Sequence, residues 1–165
     1  MRIHLKLLTP ADVSQNYIDW FNDTDVVNYS DNQFRSFTLA SQKIYVASIL
    51  QDNNVDLFGI FDGKLHIGNI TISGLNSPHK RAELSYVIGD RSYWGKGIAS
   101  KVISDLCFKS KTEYKLNKLY AGCAEKNEGS KKALIKNGFS LEGKRKSHLF
   151  YNGEWMDQLD FGLLL

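Results

Sequence analysis

Gly89-Asp90-Arg91-Ser92-Tyr93-Trp94-Gly95-Lys96-Gly97-Ile98-Ala99 is the stretch on which the fold turns. The residues before it, Arg81–Ile88, read as a strand. Those after it place Ile98, Val102, Ile103, Leu106 and Cys107 at helical spacing, which predicts a helix over 95–111. Strand, glycine turn and helix in that order put the free N–H groups of a helix start at the turn. Gly95 and Gly97 let the backbone fold closely around a ligand, and the helix dipole favours negative charge there. The spacing is neither GxxxxGK[ST] nor GxGxxG. It predicts a cradle for an anion such as a pyrophosphate, with a plain tight turn as the alternative.

Upstream, Ile3, Leu5 and Leu7 alternate with polar residues, which predicts a strand over 2–8. Thr9-Pro10 reads as a cap and first helical residue, so a helix is expected from Pro10 to about Phe21, broken by Asn22-Asp23-Thr24-Asp25. Thr38 opens a second helix, with Ile44, Ala47, Ile49 and Leu50 expected on its buried face. Strands over 55–61 and 65–73 flank Asp62-Gly63, a strong hairpin signal. Downstream, a strand is expected over 116–124. A helix over 127–136 follows, capped by Asn127 and stopped by Asn137-Gly138. Two final strands, 139–150 and 154–164, surround Asn152-Gly153, the dipeptide preferred in type I′ turns. The order β-α-α-β-β-β-α-β-α-β-β predicts one α/β (α+β) domain over 1–165, a mixed sheet of about seven strands with about four helices on its faces.

The chain has 165 residues, enough to bury a core without metal or disulfide support. Apolar residues at 42% and charged residues at 24% argue against disorder. No apolar run approaches a membrane span, and the alternating start lacks a signal-peptide core, so a cytoplasmic location is expected. Cys107 and Cys123 sit in no CxxC pair and with no His cluster, so no metal is expected. Residues 101–150 carry twelve basic and five acidic side chains. That surplus invites an anionic ligand. With no helix-turn-helix, RNP pattern or zinc knuckle, nucleic acid is not expected as the partner.

Four stretches together resemble the GCN5-related N-acetyltransferases (GNAT), in the branch of ribosomal-protein N-terminal and amino-sugar acetyltransferases. They are Ala82-Glu83-Leu84-Ser85-Tyr86-Val87-Ile88-Gly89, Tyr93 to Ala99, Asn127-Glu128-Gly129-Ser130 through Gly138-Phe139, and Leu141-Glu142-Gly143-Lys144-Arg145. The family loop is often written Q/R-x-x-G-x-G/A, and Ser92 departs from its first position. The resemblance implies a mostly antiparallel sheet with a splayed central strand pair, and acetyl transfer from acetyl-CoA to an amine. It implies that Tyr86, Val87 and Ile88 lie along the pantetheine arm, with a backbone N–H near Val87 or Ile88 polarising the thioester carbonyl. Trp94, Gly95, Lys96, Gly97, Ile98 and Ala99 would hold the pyrophosphate. Asn127 would cap its helix and bond the pantetheine. Lys131 and Lys132 would meet the 3′-phosphate.

An attacking amine must be neutral, so a general base helps. Glu83 is the only acid on the central strand and is the candidate base, with a structural ion pair to Lys80 or Arg81 as the alternative. The departing thiolate gains from a proton donor. No Tyr occurs in 127–138, so Ser130 is the candidate acid, with Tyr120 or water as alternatives. Tyr29, Arg35 and, on a C-terminal strand, His148 are the candidate acceptor contacts. Arg35, between Phe34 and Phe37, suits an anionic acceptor. The expected acceptor is a small-molecule amine, a nucleotide-linked amino sugar being favoured, or a peptide N-terminus. A non-catalytic acyl-CoA-binding domain is the alternative, no membrane partner is expected, and a homodimer is possible.

Overall fold

The computed structural model describes residues 1–165. Seven strands form one sheet in the order β1-β2-β3-β4-β5-β7-β6. They are β1 Ile3–Leu7, β2 Val55–Asp62, β3 Leu65–Ser73, β4 Arg81–Ile88, β5 Lys118–Ala124, β6 Ser140–Tyr151 and β7 Glu154–Leu164. Every neighbouring pair is antiparallel except β4 and β5. Four helices cover the faces: α1 Gln15–Asn22, α2 Leu39–Leu50, α3 Ile98–Thr112 and α4 Glu128–Lys136.

The two faces have separate cores. Ile60, Ile70, Ile72 and Leu84 meet Val102, Ile103 and Leu106 of α3 and Leu134 of α4. On the other face Tyr17, Trp20 and Phe21 of α1 pack with Val46 of α2 and with Leu57 and Phe61. Apolar burial on both sides fixes the register of the central strands, because a one-residue slip would exchange the faces.

The parallel pair positions the site. β4 and β5 are paired only at Arg81–Lys118, Ala82–Leu119 and Glu83–Tyr120. Beyond Glu83, β4 stays paired with β3 alone, and beyond Tyr120, β5 stays paired with β7 alone. The strands part there and leave one edge of β4 open.

Three expectations need correction. The helix expected from Pro10 to Phe21 is interrupted. Pro10–Asp12 is a single 3-10 turn closed by the Asp12 carboxylate, which accepts from the Thr9 N–H at 2.9 Å. Val13 is extended, and Ser14 caps a new helix by accepting from the Tyr17 N–H. The buried face of α2 is Gln42 and Val46, with Ile49 half-buried, whereas Ile44, Ala47 and Leu50 face solvent. α3 begins at Ile98, because Gly95 and Gly97 both have left-handed φ (71° and 76°).

Candidate functional site

One cavity of about 710 Å³ opens where β4 and β5 part. Its floor is strand: Asn69 and Thr71 of β3, and Ser85 to Ile88 of β4. Asn127 to Ser130, at the start of α4, form one wall together with Trp94 and Ala99. The opposite wall is the 25–35 loop, with Gln42 and Tyr45 of α2.

Nine residues singled out in the sequence line this cavity together: Tyr86, Val87, Ile88, Trp94, Ala99, Asn127, Ser130, Tyr29 and Arg35. Ser130 sits in the first turn of α4, where its N–H donates to the Asn127 side-chain oxygen at 3.1 Å. The Tyr86 hydroxyl donates to Ser130 Oγ at 3.1 Å. Burial pushes the Tyr86 hydroxyl above the ordinary tyrosine value. Cys123 lies beside Ser130, and its burial pushes the thiol up to about 11, so it is uncharged near neutrality.

The glycine loop is tied to both sides of the cavity. Its Trp94 indole N–H donates to the Ile88 carbonyl at 2.8 Å, which holds the loop against the end of β4. Arg91 pairs with Asp25 on the opposite wall at 2.6 Å and with Asp23, the residue that ends α1, at 3.5 Å. At Gly95 and Gly97 an added Cβ would meet nothing within 4 Å, so the loop faces open space. Gly97 is the N-cap of α3 and provides no side-chain cap. The first-turn N–H groups of α3 therefore lack a side-chain partner, which is the condition for anion binding at a helix start.

Other candidates fall elsewhere. Ile98 is 4% exposed and its side chain belongs to the core, so only its backbone faces the loop. Lys96 is exposed, with its ammonium 5.4 Å from the Tyr93 ring centroid. Lys132 is exposed on α4 outside the cavity, and Lys131 is bound to Glu128. His148 is exposed on the outer strand β6 and does not line the cavity. Ser147 before it has φ 46° and the β6–β7 register shifts between Arg145 and Leu149, so alternation along that strand does not carry through to position 148. Glu83 does not reach the cavity either. It lines a smaller cleft of about 340 Å³ with Tyr120, Arg81 and Lys118, below the point where the strands part.

The charges around the cavity are few. Asp25, Arg35 and Glu128 are the only charged residues lining it. Asp25 is paired with Arg91 and Glu128 with Lys131. Arg35 has no ion pair and is the one uncompensated charge.

Sequence reasoning missed Gln42, which links the cavity to a buried polar cluster. Its amide donates to the Tyr17 hydroxyl at 3.3 Å, and burial pushes that hydroxyl up to about 12. Asn69, beside it on the cavity floor, accepts from His66 Nε2 at 2.8 Å. The only signal in the sequence is a lone amide at the helical position before Val46, on a helix that is otherwise mostly apolar.

The family described as Acetyltransferase (GNAT) domain matches residues 2–140. An uncharacterised N-acetyltransferase of Bacillus subtilis (strain 168) is 30% identical over 155 residues, which is 92% of this chain and 87% of the relative. A ribosomal-protein-serine acetyltransferase of Escherichia coli (strain K12) is 31% identical over 101 residues, 61% of this chain and 56% of the relative. The spermidine N-acetyltransferase of Vibrio cholerae, solved in complex with CoA and spermine, has a TM-score of 0.87 at 23% identity. That likeness is one of fold and covers 99% of this chain and 95% of the other. No helix is long and apolar enough to cross a membrane.

Proposed function

The chain belongs to the acetyltransferase (GNAT) family, and on that premise we propose that residues 1–165 form one N-acetyltransferase domain that moves an acetyl group from acetyl-CoA directly to a primary amine. The favoured acceptor is a nucleotide-linked amino sugar, with the N-terminus of a peptide or ribosomal protein as the other amine of similar chemistry. The mostly antiparallel sheet with one parallel pair and four helices is the GNAT fold.

Acetyl-CoA fits the residues present. The uncapped start of α3 and the open space at Gly95 and Gly97 suit a pyrophosphate. The β4 edge beyond Glu83 suits an extended pantetheine arm, which would pair with backbone groups that β5 leaves free. Its thioester supplies the activated acetyl carbon. A backbone N–H of Val87 or Ile88 would stabilise the charge that develops on the carbonyl oxygen, an interaction commonly worth about 3 kcal/mol. Lys96 and Lys132 are exposed outside the cavity and would be available to CoA phosphate oxygens that extend beyond it.

The acceptor reading rests on one observation: Arg35 is the only uncompensated charge at the cavity, because both lining carboxylates are paired. A polyamine brings several positive charges and finds no free carboxylate there. An alkylammonium near pKa ~10.4 also needs a base to become a nucleophile, whereas an α-amino group near ~7.7–8.0 is roughly one-tenth neutral at pH 7 without one. An amine of low basicity on a molecule that also carries an anion suits both features. Nucleotide phosphates would supply that anion to the Arg35 guanidinium.

Free-thiol release from acetyl-CoA, measured with nucleotide-linked amino sugars, N-terminal peptides and spermidine, tests this reading. The expected order places the anionic, weakly basic amines first. Release with spermidine alone would overturn the acceptor class while leaving acetyl transfer in place.

A further inference from the structure

We propose that Tyr86 is a positioning residue for loss of the CoA thiolate, acting through Ser130 as the second member of a two-hydroxyl proton wire. The proposal rests on the acetyl-transfer reading above and adds a role for a side chain that otherwise only lines the cavity.

The geometry is specific. Tyr86 lies three residues beyond the last β4–β5 pair, in the gap where the strands part. Its hydroxyl and Ser130 Oγ are 3.1 Å apart. A phenol is the stronger donor and an alkyl hydroxyl the better acceptor, so the bond runs from Tyr86 to Ser130. Ser130 then has its own O–H proton free for a third group. Its backbone is held by the Asn127 cap, so the hydroxyl cannot drift along the helix. Cys123, the other group in contact with Ser130, keeps its proton near neutrality and offers only a weak acceptor.

An alcohol alone is a poor proton source for a thiolate whose thiol titrates near ~8.5, and a phenol, even with its pKa pushed above the ordinary tyrosine value by burial, is a much stronger acid than an alkyl alcohol. A proton that ends on sulfur from Ser130 and is replaced from Tyr86 uses the better acid without requiring it to touch the sulfur. The balance closes. The amine nitrogen forms a bond to the acetyl carbon, the carbon–sulfur bond breaks, and its electron pair stays on sulfur. Sulfur takes the Ser130 proton, Ser130 takes the Tyr86 proton, and the phenolate is reprotonated, through cavity water, by the proton the amine gives up.

The test uses the full chain under single-turnover conditions, so that product release does not hide the chemical step. Tyr86→Phe keeps the ring and removes the hydroxyl. Its rate of acetyl transfer is expected to fall about tenfold or more, with acetyl-CoA affinity unchanged within about twofold. Ser130→Ala should lose at least as much, and the double variant no more than Ser130→Ala, because Tyr86 acts only through Ser130. In H2O–D2O mixtures the wild-type rate should bend as two protons move together, and Tyr86→Phe should give a straight line. A Tyr86→Phe variant at wild-type rate, multiplicative losses in the double variant, or an unchanged isotope curve would each overturn the wire. A wild-type chain that releases no thiol with any acceptor would overturn the acetyl-transfer reading and the wire with it.

Discussion

The Tyr151 hydroxyl donates to Asp31 Oδ1 at 2.7 Å, joining two residues 120 positions apart in the chain. Tyr151 ends β6, and Asp31 lies in the loop that walls the cavity. The same hairpin tip holds that loop at further points. Phe34 stacks on the Tyr151 ring at 6.0 Å, and the Asn152 amide donates to the Asn28 carbonyl at 3.1 Å. The loop has little regular structure of its own, so its shape depends on these distant contacts and on the Arg91 pair at its other end.

Loss of that hydroxyl should loosen the acceptor side alone. Tyr151→Phe removes one hydrogen bond, typically worth about 1 kcal/mol. The expected result is an acceptor KM raised about three- to tenfold, with the acetyl-CoA KM unchanged. An equal change in both KM values would mean that the hairpin supports the whole fold rather than the acceptor wall.

The glycine loop gives a prediction with an internal control. Gly63 and Gly97 both have left-handed φ, 58° and 76°, and an added Cβ meets nothing at either. Alanine at either position therefore brings about 1–2 kcal/mol of backbone strain without a clash. Only Gly97 stands at the start of α3. Titration calorimetry should show Gly97→Ala binding acetyl-CoA more weakly and Gly63→Ala binding it normally, with similar losses in thermal stability. Equal affinity in the two variants would remove the loop from the binding site.

Much of this architecture was legible in the sequence because local chemistry decides it. Asn152-Gly153 makes the last hairpin turn as expected, with φ values of 55° and 77° that a type I′ turn requires, whereas the earlier hairpin turns at Gly63-Lys64, one residue later than Asp62-Gly63, because Asp62 still pairs with Leu65 and only Gly63 has a left-handed φ. The face of α2 was not legible, because apolar residues occur on nearly all its sides and burial is decided by the partner it meets. The break at Val13 was hidden for a different reason: Thr9 and Ser14 are both good caps, five residues apart, and the first one masks the second. The position of Glu83 depends on a parallel pairing of only three residues, for which a sequence carries no signal. Nor does it reveal that Asp25 and Glu128 are already paired, although that pairing decides which acceptor charge suits the cavity.

Glu83 lies in the smaller cleft beside Tyr120, away from Ser130 and Arg35. With weakly basic acceptors, Glu83→Gln is expected to leave kcat within about twofold, since removal of a working general base costs about 10²–10⁴. A loss in that larger range, with a displaced alkaline or acid limb of the pH profile, would return the role of base to Glu83 acting through water.

Arg35 should read the acceptor's anion. Arg35→Ala is expected to raise the KM for a nucleotide-linked amino sugar about tenfold, the scale of one charge-assisted hydrogen bond. An uncharged amine acceptor of the same ring size should be indifferent to the change. If the two acceptors suffer alike, Arg35 shapes the loop and does not contact the anion.

His66 sets a pH limit on stability. Its imidazole is 9% exposed, boxed by Tyr17, Trp20 and Phe61 at centroid distances of 5.4, 5.0 and 4.8 Å. Nε2 faces two oxygens, the Gly68 carbonyl at 2.9 Å and Asn69 Oδ1 at 2.8 Å, so the ring proton sits there and the Nδ1 lone pair is left without a partner. Burial, the largest cause, lowers the folded-state pKa below the ordinary 6.5, outweighing the two hydrogen bonds and Asp12, which act in the opposite sense. Below 6.5 the unfolded chain therefore binds a proton that the folded chain refuses, and stability falls as the pH drops through that value. One such group can contribute a slope of at most about 1.4 kcal/mol per pH unit. Urea unfolding at about pH 7.5 and about pH 5.5 should show the wild type losing stability over that interval and His66→Gln, which cannot titrate, losing less. Equal losses would mean that the ring takes its proton in the folded state as readily as in the unfolded one, and that the buried polar cluster of His66, Asn69, Tyr17 and Gln42 opens to water.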